Sequence, residues 1–409
     1  MVGSGRRALP TVLLCALLAA CTSTGAHPRA SSSAATAAPT STEPAATEPP
    51  SPESSALSST TPAAGLDARV ASVLATLDRR AQVEQLFVAG VPLTDLAAGA
   101  ALVRSGIGGV FLAGRTTRSV TDLASVTAGW QALTHGPRLW VAADQEGGLV
   151  QTLKGPGFAL LPTARAQGAL APADLAGLAE GMGRSMHRAG LNLDLAPVAD
   201  VVPAGTEATN PPIGQYQRQY GSTAAAVGRA AAAVRDGLAA GGVTATLKHF
   251  PGLGRVTGNT DDRPVTDTVT TAGDADVAVF GTLARSPAQP FVMVSSAVYA
   301  RIDPANPAAF SSTVLAHVLR KRLGFQGVII SDDLGIAGAV AAVSPADRAV
   351  RFFGAGGTLL LTVRPGIVPV MVAAVLARSA ADPAFAKQVD AAVRTALLAK
   401  ARAGLLPTA

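Results

Sequence analysis

The chain has 409 residues, of which 48% are hydrophobic and 15% charged, and its formal net charge is +6. The positive charge comes mostly from scattered arginines, and no Lys/Arg cluster with interleaved aromatic residues occurs, which argues against nucleic-acid binding. Cys15 and Cys21 are the only cysteines. A disulfide framework is therefore excluded, and the fold has to be stabilised by its apolar core.

The first 20 residues have the pattern of a signal peptide. Arg6 and Arg7 precede an apolar stretch over residues 8–20, which is too short to span a bilayer in the mature protein. The stretch ends in Leu18-Ala19-Ala20-Cys21, which resembles a bacterial lipobox and predicts that Cys21 carries the lipid (palmitate) anchor. The alternative is ordinary secretory cleavage beside an unrelated cysteine. We expect the protein on the extracytoplasmic face of the cell membrane.

Residues 21–64 are rich in Ser, Thr, Ala and Pro and contain almost no large apolar side chain. Such a segment cannot bury enough surface to offset the entropy of ordering it, so we predict a disordered linker. As a flexible tether it would have a root-mean-square reach of roughly 35–40 Å. Residues 65–409 then form the folded domain, which is long enough for one large α/β barrel.

Eight short apolar runs bounded by glycine or polar residues predict eight strands in this domain. They cover residues 85–90, 108–113, 139–143, 192–198, 244–247, 291–295, 328–331 and 358–363. Most of them are separated by stretches of helical period, for example residues 173–188, 224–240 and 312–323, and two more helices are expected over 368–377 and 384–403.

This alternation predicts a single (β/α)8 barrel, because strands that are apolar on both faces favour a parallel sheet covered by helices. A doubly wound open sheet is the structural alternative. No second α/β domain fits the sequence, and we expect a monomer.

Two motifs lie at the ends of predicted strands, where barrel enzymes build their active sites. One is Lys248-His249-Phe250-Pro251-Gly252, and the other runs from Gly327 through Ile330-Ser331-Asp332-Asp333 to Leu334. Together they resemble the single-domain members of glycoside hydrolase family 3, the bacterial β-N-acetylglucosaminidases of cell-wall turnover. The resemblance extends from about Leu66 to about Leu406.

The resemblance implies that Asp332 is the catalytic nucleophile, which forms a covalent glycosyl-enzyme that water later resolves. Neighbouring side chains of a strand point in opposite directions, so Asp333 is expected to cap the following helix. The alternative is that both acids cap that helix.

Four further residues match family positions that contact the sugar: Asp144, Arg218, Lys248 and His249. Asp144 lies in Asp144-Gln145-Glu146-Gly147-Gly148, after the third strand. Arg218 follows Gln215-Tyr216-Gln217, a slightly longer approach than the family has. Asp194 lies in the predicted fourth strand and Asp200 follows it. We interpret both as hydrogen-bond acceptors that fix loops, with substrate contact as the alternative.

The loop after the fifth strand departs from the family pattern. Where the family has Asp-Ser-His with its acid/base histidine, this chain has Asn259-Thr260-Asp261. Either Asp261 or the adjacent Asp262 donates the proton, or hydrolysis has been lost, or the segment is a polar loop tip. A carboxyl group can serve as the acid if its pKa is raised, and Asn259 would then hold Asp261 by a hydrogen bond.

No zinc, Walker or dinucleotide motif occurs in a fitting context, so neither a cofactor nor a metal is expected. The resemblance implies a retaining exo-glycosidase that removes terminal β-linked N-acetylglucosamine from peptidoglycan-derived fragments of the GlcNAc-MurNAc type. A β-glucosidase-type exo-glycosidase and a non-catalytic muropeptide-binding lipoprotein are the alternatives.

Overall fold

The computed structural model describes residues 62–407. The predicted signal peptide, Cys21 and nearly all of the predicted linker lie outside these residues. The first helix, Pro62–Thr76, begins slightly before the predicted domain boundary at residue 65. Between residues 62 and 407 no helix is both long enough and apolar enough to cross a membrane.

Eight parallel strands form one sheet, and strands that are consecutive in this set are neighbours in the sheet. They are β1 (Phe87–Pro92), β2 (Gly109–Ala113), β3 (Trp140–Ala143), β4 (Leu193–Asp194), β5 (Thr244–Phe250), β6 (Phe291–Val294), β7 (Ile329–Ser331) and β8 (Leu360–Thr362). β8 pairs with β1, and a bridge between Ile330 and Leu359 joins β7 to β8. The sheet therefore closes on itself, and the predicted (β/α)8 barrel is confirmed.

Helices cover the outside of the barrel. Those that follow Pro62–Thr76 along the chain range in length from 4 to 20 residues. They are Arg79–Glu84, Ala98–Arg104, Val120–Ala132, Ala164–Gln167, Pro172–Arg188, Ala224–Ala240, Ala275–Ala284, Thr313–Arg322, Pro345–Gly354, Val368–Ala381 and Pro383–Arg402. Single turns of 3₁₀ helix occur at Glu207–Thr209, Ala308–Phe310, Gly338–Val340 and Pro365–Ile367. Short additional strands lie at Gln145–Gly147, Val150–Gln151, Thr266–Asp267, Val298–Tyr299 and Asp303–Pro307.

The barrel strands are buried on both faces, which explains why their sequences are continuous apolar runs. Val88, Leu112, Val141 and Ile329 are each fully buried. One face of every strand packs inside the barrel and the other packs against the helices. The interior is thus a filled core, and polar side chains can converge only at the strand ends.

Most strand bounds differ from the prediction by one or two residues. The two largest differences, at the ends of β4 and β5, lie beside polar residues. β4 ends at Asp194, well before residue 198, and a proline at 197 cannot donate a ladder hydrogen bond. β5 continues to Phe250, since the backbone N–H of Ala199 donates to the carbonyl of Lys248 and that of Ser295 to the carbonyl of Phe250. Lys248 and His249 therefore lie within β5 and not after it.

Candidate active site

A cavity of about 490 Å³ opens at the carboxyl ends of the barrel strands. It is lined by all six side chains that the sequence singled out for catalysis or sugar binding: Asp144, Arg218, Lys248, His249, Asp261 and Asp332. Two larger grooves, of about 680 and 830 Å³, lie where strands begin, beside Trp140, Phe291 and Thr244. Since barrel enzymes act at the carboxyl ends of their strands, the smaller cavity is the candidate active site.

The inner charged cluster of this cavity consists of Asp144, Glu146, Arg218 and Lys248. Lys248 Nζ donates to Asp144 Oδ1 and to Glu146 Oε1, both at 2.6 Å. The Arg218 guanidinium binds Glu146 in a bidentate manner, with Nε and Nη2 at 2.8 and 2.7 Å from its two oxygens. Two carboxylates thus face two cations, and the cluster has no net charge.

Each charge in the cluster is held by its neighbours against the cost of burial. Burial alone would raise the pKa of the Glu146 carboxyl, but Arg218 and Lys248 outweigh burial and hold that pKa at about 2. Burial likewise opposes the charge of Lys248, and Asp144 and Glu146 outweigh it and raise the pKa of the ammonium. Both groups are therefore ionised at neutral pH, and hydrogen bonds to ionised groups are stronger than those between neutral groups.

His249 is oriented by a buried carboxylate. Its Nδ1 lies 2.7 Å from Asp200 Oδ2, and Asp200 Oδ1 accepts from the backbone N–H groups of His249 and Leu253 at 3.1 and 2.7 Å. Arg218 Nη2 lies 3.5 Å from His249 Nε2 and can only donate. This network favours the tautomer with the proton on Nδ1, so Nε2 presents a lone pair. The expectation that Asp200 fixes the loop after β5 is confirmed.

Asp332 and Asp333 follow β7 and have different surroundings. Asp332 is half-buried and lines the cavity, and its Oδ1 accepts from the backbone N–H of Asp333 at 2.8 Å. Asp333 accepts from the backbone N–H groups of Gly335, Ile336, Ala337 and Val363. The interpretation of Asp333 as a helix cap is wrong, because its carboxylate closes a turn and joins it to β8. The next α-helix, Pro345–Gly354, is capped by Ser344.

The acid loop, residues 259–263, brings Asp261 to the mouth of the same cavity. The backbone N–H of Gly338 donates to the carbonyl of Asp261 at 2.8 Å, and that of Ala339 to the carbonyl of Thr260 at 3.0 Å. Asn259 does hold Asp261, but through the backbone, since Asn259 Oδ1 accepts from the N–H of Asp261 at 3.1 Å. The loop is thereby attached to the segment that follows Asp332.

The Asp261 carboxyl has a raised pKa although the residue is exposed at the cavity mouth. The main cause is partial desolvation by the surrounding protein, and the second is repulsion by Asp332. His249 and Arg218 oppose the shift. A carboxyl group whose pKa is raised beside a second carboxylate has the property that a general acid needs.

Asp194 lies beneath the inner charged cluster and is fully buried. Its Oδ1 accepts from the backbone N–H of Gln145 at 3.0 Å, which fixes the segment after β3, as expected. Its Oδ2 has no hydrogen-bond partner in the described part of the chain. Burial raises the pKa of Asp194 to about 8, so the carboxyl is neutral at pH 7.

Glu146 is the functional side chain that sequence reasoning missed. Glu146 lies in the motif around Asp144, and the sequence analysis gives it no role. In the structure it forms ion pairs with both Lys248 and Arg218. The available signal was its position two residues after Asp144, since alternate residues of an extended segment point to the same side.

The chain is similar to known proteins both in sequence and in fold. The family model "Glycosyl hydrolase family 3 N terminal domain" matches residues 79–397. The β-hexosaminidase of Neisseria meningitidis serogroup B is 34% identical over 282 residues, covering 65% of this chain and 74% of the relative. That of Xanthomonas campestris pv. campestris is 32% identical over 309 residues, covering 72% and 89%. The solved β-N-acetylhexosaminidase from Beutenbergia cavernae matches with a TM-score of 0.75 at 46% identity, over 79% of this chain and 98% of that one.

Proposed function

This chain belongs to glycoside hydrolase family 3, and on that premise we propose that it is an exo-acting β-N-acetylhexosaminidase that releases terminal N-acetylglucosamine. The single observation that carries the proposal is a convergence of charged side chains in one cavity at the carboxyl ends of the strands: Asp332, Asp261, Asp144, Arg218 and Lys248. The relatives named as β-hexosaminidases and β-N-acetylhexosaminidase supply the substrate class.

The proposed reaction has two displacements. Asp332 attacks the anomeric carbon while Asp261 gives its proton to the departing glycosidic oxygen, so the bond to the leaving group breaks as the bond to the carboxylate forms. Water then attacks the glycosyl-aspartate, and Asp261 takes a proton from that water. The raised pKa of Asp261 supports the first step, and its place beside Asp332 supports both.

The inner charged cluster and His249 are proposed to bind the sugar hydroxyls. Asp144 offers acceptor oxygens, Arg218 and Lys248 offer charge-assisted donors, and His249 Nε2 offers an acceptor. Because Glu146 and Asp200 already hold three of these groups in place, little side-chain ordering remains to be done on binding.

A non-catalytic muropeptide-binding lipoprotein remains the second candidate. The observation in its favour is the acid loop, which has Asn259 and Asp261 where the family has an aspartate and a histidine. The inner charged cluster would serve a binding protein equally well. A β-glucosidase is the alternative within enzymes, since the contacts described above are suited to any sugar with free hydroxyls.

An aryl glycoside assay separates these candidates. We expect release from the N-acetylglucosaminide to exceed release from the glucoside, and Asp332→Ala to lose several orders of magnitude of turnover while the protein stays folded. Asp174→Ala, an exposed acid in the helix Pro172–Arg188, is the matched control and should retain activity. Binding of the sugar without release by the unmodified protein would support the lipoprotein candidate instead.

We further propose that the protein is a monomer anchored by lipid on Cys21 to the extracytoplasmic face of the membrane, where it acts on peptidoglycan-derived fragments of the GlcNAc-MurNAc type. Support comes from the lipobox-like sequence and from the resemblance of the strand-end motifs to β-N-acetylglucosaminidases of cell-wall turnover. Unmodified protein should fractionate with membranes and Cys21→Ala protein should not. Equal membrane association of the two would contradict the anchor.

A further inference from the structure

Two exposed apolar side chains stand at the mouth of the active-site cavity. Tyr216 is 46% exposed and Ile336 is 65% exposed, and both line the cavity. A single exposed apolar side chain is ordinary, but these two lie on separate loops that line the same cavity.

The segment that carries Tyr216 is held in one conformation. Buried Asn210 accepts from the backbone N–H of Gly214 through Oδ1 at 2.8 Å and from that of Gln215 through its carbonyl at 3.0 Å. Gln217 has a left-handed backbone with φ of 54°, and the N–H of Arg218 closes the segment onto the carbonyl of Ile213 at 3.1 Å. Tyr216 lies in Gln215-Tyr216-Gln217, the segment before Arg218 that is longer than the family pattern. Its backbone is fixed, so a ligand that binds against Tyr216 loses little conformational entropy of the chain.

Ile336 is fixed in a similar way, four residues after the predicted nucleophile. Its backbone N–H donates to Asp333 Oδ2 at 2.8 Å, in the turn that directly follows Asp332. The turn is joined to β8 through Asp333 and Val363. An exposed branched side chain thus stands beside the residue that attacks the sugar.

The charges and the apolar side chains divide the cavity into two parts. Lys248 and Glu146 are buried and define an inner part suited to hydroxyl groups. Tyr216, Ile336 and Asp261 are exposed and define the mouth. If the released sugar occupies the inner part against Asp332, the leaving group has to lie at the mouth, beside the acid that protonates it.

We propose that Tyr216 and Ile336 form the leaving-group subsite, an apolar platform for the C–H face of a second sugar ring. This inference rests on the proposed function, because it takes the inner part of the cavity to hold the N-acetylglucosamine. A pyranose ring offers an apolar face with hydroxyls at its edge, which suits an aromatic ring whose hydroxyl reaches water.

Binding to an Asp332→Asn background tests the platform without turnover. The ligands are the β-1,4-linked disaccharide of N-acetylglucosamine and methyl β-N-acetylglucosaminide, compared by calorimetry. The background should bind the disaccharide more tightly. Adding Tyr216→Ala should weaken the disaccharide about tenfold, as expected for loss of one partly buried ring contact, and should change the methyl glycoside less than about twofold. Tyr216→Phe should behave as the background does.

Val370→Ala is the matched control, since Val370 is 48% exposed but lies on the outer helix Val368–Ala381. It should change neither affinity, and Ile336→Ser should reproduce the pattern of Tyr216→Ala. Equal losses on both ligands, or no loss on either, would overturn the platform. A methyl glycoside that binds as tightly as the disaccharide defeats this inference alone, whereas failure of both ligands to bind defeats the proposed function with it.

Discussion

The inner charged cluster and the acid loop face the same cavity but are held in different ways. Glu146 is buried with both oxygens bound to cations, and Lys248 bridges two carboxylates. The acid loop is held through its backbone, by the N–H groups of Gly338 and Ala339 and by Asn259. The Asp261 side chain itself is exposed.

This difference predicts how each part tolerates a change of side chain. A change within the inner charged cluster leaves a buried ion without its partner, which costs several kcal/mol. A change of the Asp261 side chain leaves the hydrogen bonds of the loop intact, because they involve the backbone of Asp261 and not its carboxylate. We therefore expect the fold to tolerate a new side chain at Asp261 more readily than a change within the inner charged cluster.

The largest expected effect is on the acid loop. Asp261→Ala should slow turnover of substrates with poor leaving groups about 10²- to 10⁴-fold, since these need protonation, and should spare activated aryl glycosides. External azide should partly rescue the variant by resolving the covalent intermediate. Rates measured across a series of aryl leaving groups give the check. Asp262→Ala is the matched control, and a loss in Asp261→Ala that is equal for all leaving groups would point to Asp262 or another donor.

A smaller effect is expected on stability when the inner charged cluster is broken. Glu146→Ala leaves Lys248 with one partner and Arg218 with none among the cluster's carboxylates, and should lower the free energy of unfolding by about 3–5 kcal/mol. Denaturant titration measures the loss. Asp390→Ala removes an exposed partner of Arg79 and should cost at most about 1 kcal/mol. If the two variants lose the same amount, the contrast between a buried cluster and exposed pairs is wrong.

The smallest effect concerns Asp194, which carries a proton in the folded state that the unfolded chain releases above pH 4. Burial raises the pKa of Asp194 in the folded protein to about 8. The stability that comes from keeping this proton is therefore complete below the pKa of Asp194 in the unfolded chain, and it is lost as the pH rises towards 8. Glu146, with a pKa of about 2, stays ionised through this window and adds no slope.

The pH dependence of unfolding tests this assignment. Between pH 5 and pH 7 the stability of the unmodified protein should fall by up to about 3 kcal/mol relative to Asp194→Asn, at about 1.4 kcal/mol for each pH unit. Asparagine keeps the acceptor for Gln145 and has no proton to lose in this range. Parallel stability curves for the two proteins would show that Asp194 does not titrate as described.

Much of the fold could be predicted, and the reason is that its signals are local. All eight strand predictions overlap the barrel strands, because each strand is a short run that is apolar on both faces. The largest errors lie at the ends of β4 and β5. There the pairing of backbone groups with distant residues, and not the side-chain pattern, sets where a strand stops.

The sequence by itself determined the barrel, the motifs at its strand ends and the six side chains that line the cavity, because strand periods and short motifs are properties of neighbouring residues. Only the tertiary structure decided how those charges are neutralised. Lys248 meets Asp144 across 104 positions of the chain, and Arg218 meets Glu146 across 72. Ion pairing and burial depend on distances that are set only when the strands close into a ring. The pKa values of the Glu146, Asp194 and Asp261 carboxyl groups therefore follow from the fold and not from the order of residues.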